Sequence, residues 1–157
     1  MVSKWHVGVA FGALMAIALS TGARADEPYI PLISKGFQHQ FWQAVKLGAE
    51  QSAKENNVKI TFEGPETEAM VDKQIDMLSA ALAKKPQALG FAALDSKAAI
   101  PLLKKAQAAN IPVIAFDSGV DSDIPLTTCT TDNLAAAGLA ADKMADLVGG
   151  AGDIAVV

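Results

Sequence analysis

Residues 88–94 read ALGFAAL, a nearly continuous apolar run bracketed by Pro86 and Asp95. Alternation would mark a strand with one wet face; an unbroken run this short marks a strand covered on both faces, as in a parallel sheet flanked by helices. Asp95-Ser96 then offers a helix N-cap, and Pro101 fits in or near the first turn of the helix that follows. Residues 111–116 (IPVIAF) form the next strand, closed by the turn-forming Asp117-Ser118-Gly119. Strand, crossover helix and strand again is the local rule here, and it predicts an α/β chain.

The same alternation extends outward in both directions. Toward the N-terminus, residues 29–34 (YIPLIS) read as a first strand, with Pro31 tolerable near a strand start or at a sheet edge. A helix over residues 40–55 follows from the spacing of Phe41, Val45, Gly48, Ala49, Ser52 and Ala53. Residues 58–63 (VKITFE) are a β-branched, alternating second strand broken by Gly64-Pro65. The next helix starts near Thr67, with Val71, Ile75, Leu78 and Leu82 as its stripe, and Lys84-Lys85 suit its C-terminal dipole. Toward the C-terminus, residues 126–130 are a short fifth strand and Asp132-Asn133 an N-cap signal. Leu134, Ala137, Ala141, Met144 and Val148 make a last helical stripe, ended by the glycines of residues 149–152. Residues 153–157 (DIAVV) read as the start of one more buried strand. The predicted fold is an open, mostly parallel sheet with helices on both faces. A series that ends on a strand exposes an apolar edge, which predicts a fragment of a longer reading frame.

Residues 1–25 stand apart. Lys4 precedes an apolar run at residues 7–19, and Ala23-Arg24-Ala25 places small residues at the positions a signal peptidase reads, so cleavage after Ala25 is expected. A membrane anchor fits less well, because spanning a bilayer needs about 20 apolar residues. Export to the periplasm follows. Cleavage takes Lys4 and Arg24 from the 13 basic residues and leaves the 17 acidic ones, a net charge of about −6 that argues against a nucleic-acid partner. The single Cys129 has no partner for an internal disulfide and no neighbours at metal-ligand spacing, and is expected as a small core side chain in a strand. No cofactor motif is present: there is no G-x-G-x-x-G, P-loop, nucleophile elbow or Cys/His metal cluster.

In an open parallel sheet ligands bind beyond the carboxyl ends of the strands. That rule selects residues 35–42, 64–68, 95–97 and 117–120. The first of these, KGFQHQFW, gathers amide, imidazole and aromatic side chains at a helix start. Phe41 and Trp42 can cover the apolar face of a sugar ring while Gln38, His39 or Gln40 exchange hydrogen bonds with its hydroxyls. The alternative is that Phe41 is core and Trp42 partly exposed. Asp117, ending a buried strand, can accept two hydroxyl hydrogens; the alternative is a turn-forming aspartate. Asp95 holds the equivalent place on its own strand, where an N-cap is the competing role.

These loops carry a resemblance to the type I periplasmic binding proteins of ribose-binding type, whose ligand lobes are shared with lac-repressor-like regulators. It rests on FWQAVKLGAEQSA (41–53), on residues 85–123 from KPQALGFAALDSK to FDSGVDSD, and on TTDNLAAAGLAADKMADLVGGAGDIAVV (130–157). The resemblance implies a non-enzymatic, two-lobed receptor for a monosaccharide or related polyol that serves an ABC permease and is a monomer when full length. It implies a sugar contact for Phe41 and Trp42, polar contacts from His39 and Gln38, and hydroxyl recognition by Asp117. Ser118 stands where many ribose-binding members have arginine, so the resemblance does not specify ribose. Residues 26–131 would be the N-terminal lobe, and residues 132–157 the hinge crossing and beginning of the second, with Thr131 near the ligand. A micromolar site that lost half its contacts would bind near millimolar. Two rivals stand beside this reading. One is a sensory receptor presenting a sugar-like ligand to a chemoreceptor or sensor kinase; the other is a small flavodoxin-like enzyme, which lacks a motif. A cytosolic sugar-responsive regulator is disfavoured, because a signal peptide stands where a helix-turn-helix should be.

Overall fold

A computed structural model describes residues 28–156. The expected signal segment therefore lies outside the described residues, and no described helix is long and apolar enough to cross a membrane. The elements are β1 (Tyr29–Ile33), α1 (Gln40–Asn56), β2 (Lys59–Glu63), α2 (Val71–Ala83), β3 (Leu89–Phe91), α3 (Ile100–Ala108), β4 (Val113–Phe116), β5 (Thr128–Cys129) and α4 (Asn133–Leu147). The strands form one sheet in the order β2-β1-β3-β4-β5, and every pair is parallel.

This order has a functional consequence. The chain leaves β1 toward β2, then crosses back over β1 to β3 and continues to β4, so the winding reverses between β1 and β3. With right-handed crossovers, α1 lies on one face and α2 with α3 on the other. The loops after β1 and β3 diverge at the reversal and leave a crevice at the carboxyl ends of the strands.

The core lies on the α2–α3 side. Ile33, Leu78, Leu89, Phe91, Leu103 and Val113 are buried there as one cluster. β3 is buried at all three residues, as its unbroken apolar run predicts. In β4, Val113 and Ala115 face this core while Ile114 and Phe116 remain half-buried. The α1 side is thinner, with Trp42 the one buried residue of α1.

Four expectations need correction. Pro31 is not on an edge strand, since β1 pairs on both sides. The Tyr29 and Ile33 carbonyls accept from Gln87 and Ala92 N–H groups on the β3 side, so Pro31 turns its missing donor that way too. The paired β1–β3 register begins at Leu32↔Gly90, just after Pro31. Helices α2 and α3 start about a turn later than their cap signals, at Val71 and Ile100. Cys129 lies in β5 as expected but is exposed, not core. Residues 153–156 are not a strand; they are exposed and pair with none of the described strands.

One glycine is needed for close approach rather than for a turn. A Cβ on Gly64 would lie 2.4 Å from the Ser34 hydroxyl oxygen and 2.9 Å from the Gly36 carbonyl oxygen, and Ser34 itself is fully buried. Gly64→Ala is expected to destabilise the lobe by about 1–3 kcal/mol, the usual range for forced overpacking, measured by urea denaturation. Gly48→Ala, with nothing within 4 Å of the added methyl, is the control and should be neutral or stabilising.

Candidate functional site

At the carboxyl ends of β1, β4 and β5 an open hollow of about 350 Å³ is lined by Phe41, Val45, Phe116, Asp117, Cys129, Thr130 and Thr131. Its floor is aromatic because α1 begins with adjacent rings whose neighbour across the sheet is Phe116. Phe41 and Trp42 meet edge to face at 4.8 Å, and Trp42 meets Phe116 in the same way at 6.4 Å. Such edge-to-face pairs fix ring orientation as well as burying area.

The two rings of the expected pair have separate roles. Phe41 is 45% exposed and faces the hollow, whereas Trp42 is only 2% exposed. An indole is wide, and when it is buried its N–H needs a partner. The Trp42 N–H donates to Glu68 Oε1 at 2.9 Å, which holds the ring beneath Phe41. Trp42 presents no ring face to the hollow here, and the alternative of a core Phe41 with an exposed Trp42 is reversed.

Asp117 has φ of 59°, in the left-handed region that aspartate tolerates better than most residues. The strand end is clamped there: the Asp117 N–H donates to the Cys129 carbonyl at 2.9 Å, and the Thr130 hydroxyl donates to the Asp117 carbonyl at 2.9 Å. Its carboxylate Oδ2 lies 2.8 Å from Lys35 Nζ and accepts from the Ser118 hydroxyl at 3.0 Å. The remaining oxygen, Oδ1, receives no hydrogen bond from the described residues. A carboxylate with one oxygen anchored by a cation and the other free is well arranged to accept from a ligand hydroxyl. Lys35 Nζ also sits 5.8 Å from the Trp42 ring centroid, a cation–π distance.

The other candidates are used locally. His39 caps α1, its Nδ1 accepting from the Phe41 N–H at 3.1 Å, so the imidazole holds the helix that carries both rings. Gln38 is exposed on the same loop. Ser118 serves Asp117, and Thr131 lines the hollow. Asp95 is not with them: its Oδ1 accepts from the N–H groups of Lys97 and Ala98 at 2.8 and 2.7 Å. Those two bonds, that from Lys97 first, hold its carboxyl below the usual value. Asp95 thus closes the turn before α3 and does not cap the helix itself, whose N-cap residue is Ala99.

Sequence reasoning missed Lys35, Phe116 and Thr130. Lys35 lay inside the selected loop, and its signal was a basic residue directly after a buried strand in an acidic chain. The same reasoning also missed Gln74, which is 1% exposed in the first turn of α2 and ties the ends of β1 and β3 together through the Ser34 carbonyl (2.9 Å), the Ala92 carbonyl (2.8 Å) and the Leu94 N–H (3.0 Å).

Comparison with known proteins places the chain in a family and a fold. Residues 30–157 match the family described as periplasmic binding protein domain. The D-apiose import binding protein of Actinobacillus succinogenes is 27% identical over 136 residues, covering 86% of this chain and 43% of that protein. A solved carbohydrate transporter solute-binding protein from Agrobacterium radiobacter, in complex with D-arabinose, is 34% identical with a TM-score of 0.73, over 79% of this chain and 42% of that one. A Brachyspira murdochii protein described as "ABC transporter, LacI family transcriptional regulator" is 45% identical with a TM-score of 0.73, over 78% of this chain and 40% of that one. The chain spans less than half the length of the curated relatives it matches.

Proposed function

The chain belongs to the periplasmic binding protein family, a family of solute-binding proteins rather than enzymes, and on that premise we propose that it binds a monosaccharide or related polyol for delivery to an ABC permease. The observation that carries this reading is the shared hollow, where the Phe41 ring offers an apolar face beside the free oxygen of the Lys35-anchored Asp117. Polyols have both kinds of surface, hydroxyl edges and C–H faces. The hollow's volume is at the small end of ligand pockets, as a single sugar ring requires.

In this proposal the lobe at residues 26–131 is one jaw of a clamp, and residues 132–157 cross toward the other. The exposure of Leu134, Leu139 and Leu147 on α4 supports that division, since none of the described residues covers them. Closure would be favoured by a ligand that touches both jaws only in the closed state.

Cys129 provides a direct test, because it is an exposed free thiol on the wall of the hollow. The full chain is titrated with pentoses, hexoses and inositols to tens of millimolar while Cys129 alkylation and backbone amide resonances are followed. One sugar class is expected to shift the amides of Phe41, Phe116, Asp117 and Thr131. At ten times its dissociation constant it should also slow alkylation about tenfold, in proportion to the unoccupied fraction. If every sugar leaves both readouts unchanged, the sugar reading fails.

A further inference from the structure

We propose that Glu68 is a positioning residue which, through the Trp42 indole, sets the placement of Lys35 and Asp117 at the hollow; its link to ligand affinity rests on the sugar-binding reading above. Glu68 is not among the residues that line the hollow. It lies on the turn that leads from β2 into α2, where the Met70 N–H donates to the Thr67 carbonyl at 3.2 Å.

Three contacts run in series from that turn to the binding carboxylate, and a fourth branches from the shared ring. Glu68 Oε1 accepts from the Trp42 N–H at 2.9 Å. The Lys35 ammonium lies 5.8 Å from the centroid of that ring, and the same ammonium is 2.8 Å from Asp117 Oδ2. Phe41 meets the same ring edge to face, centroids 4.8 Å apart. Lys35, Asp117 and Phe41 therefore all reach Glu68 through one buried ring.

The series is more than adjacency, for electronic and steric reasons. A carboxylate accepting the indole N–H pushes electron density into the ring, which strengthens its attraction for a cation over its face. The ring also has little freedom to answer otherwise. A Cβ on buried Gly36 would lie 3.5 Å from Trp42 Cδ1 and Nε1 and 3.8 Å from Glu68 Cγ, so the β1 loop, the indole edge and the Glu68 stem are already in near contact. Without its acceptor the buried N–H is left unpaired, and the indole must turn or admit water to satisfy it. Either movement shifts the support under Lys35 and Phe41 together.

The test compares Glu68→Ala with Glu68→Gln in the full chain, the Trp5 and Trp42 indole signals being told apart with Trp5→Phe. In the ligand-free protein, Glu68→Ala is expected to move the Trp42 indole N–H resonance and the Lys35 and Asp117 amide resonances. Glu68→Gln, which keeps an acceptor oxygen, should restore them. With the sugar that binds best, Glu68→Ala should weaken affinity about tenfold, the loss of roughly one charge-assisted contact, and Glu68→Gln should recover most of it. If the indole resonance moves while those of Lys35 and Asp117 stay in place, Glu68 only satisfies a buried donor and the proposal is overturned. If no sugar binds the unmodified chain, the functional reading falls, while the ligand-free resonances still decide whether Glu68 positions Lys35 and Asp117.

Discussion

Asparagine at position 117 is expected to weaken sugar binding about tenfold and glycine roughly a hundredfold, both with a folded lobe. The estimate rests on what each replacement leaves behind. A hydrogen bond to a charged group contributes roughly 1.5–3 kcal/mol net and a neutral one roughly 0.5–1.5. The amide thus forfeits a little over 1 kcal/mol, and complete loss of the acceptor forfeits about twice that. These two residues are chosen because position 117 has φ of 59°. Asparagine tolerates that conformation as aspartate does, and glycine adopts it freely. Alanine would add backbone strain to the loss of the carboxylate and confound the measurement.

Lys35 makes the same experiment informative about charge. In either variant its ammonium loses the carboxylate at 2.8 Å. The pair is partly exposed, so breaking it should change stability by no more than about 1 kcal/mol. Calorimetric or NMR titration of both variants beside thermal melts separates the outcomes. Unchanged affinity in the glycine variant would remove Asp117 from the ligand site; a matched loss of affinity and folding would reduce it to a turn residue.

The α/β alternation was legible because burial on both faces of a central strand leaves an unmistakable apolar run. Residues 88–94 show this most clearly, and β3 is buried throughout. Helix starts were less legible. Cap signals such as Asp95-Ser96 describe a local hydrogen bond, and here that bond closes a turn just before the helix instead of opening the helix itself. The misplacements of Cys129 and residues 153–156 share one cause. A short apolar segment reads as buried strand in one dimension, yet whether it is buried depends on a neighbour that the segment does not encode.

Site residues divided along the same line. Phe41 and Asp117, which both line the hollow, were visible because one opens the helix that follows a strand and the other directly follows a strand end. The exchange of roles between Phe41 and Trp42 was not visible. Adjacent residues on a helix point about 100° apart, so only one of them can face the hollow, and which one depends on whether Glu68 is there to take the indole N–H. Lys35 and Gln74 act through partners 82 residues and between 18 and 40 residues away in the chain, and pairings at that range leave no local pattern.

Leucine in place of Gln74 is expected to destabilise the lobe by about 3–6 kcal/mol, more than any surface or site substitution considered above. The side chain is of similar size and the helix keeps a good former, so packing and propensity change little. What changes is hydrogen bonding. Two carbonyls, of Ser34 and Ala92, and one N–H, of Leu94, lose their partner together, and each buried polar group left unpaired costs about 1–3 kcal/mol. Such a loss is a large part of the 5–15 kcal/mol that holds a typical domain folded. Glutamate at the same position tests the cause. One carboxylate oxygen can still accept from Leu94, but the other must face two carbonyl oxygens, and burial among acceptors favours the protonated form. A carboxyl whose value is raised on folding favours the native state at low pH and disfavours it as pH rises through the folded-state value. Urea midpoints of Gln74→Glu should therefore fall from mildly acidic to neutral pH relative to the unmodified chain, while those of Gln74→Leu should stay uniformly low. Equal loss in the two variants at every pH would mean that shape at this position, and not the three hydrogen bonds, holds the ends of β1 and β3 together.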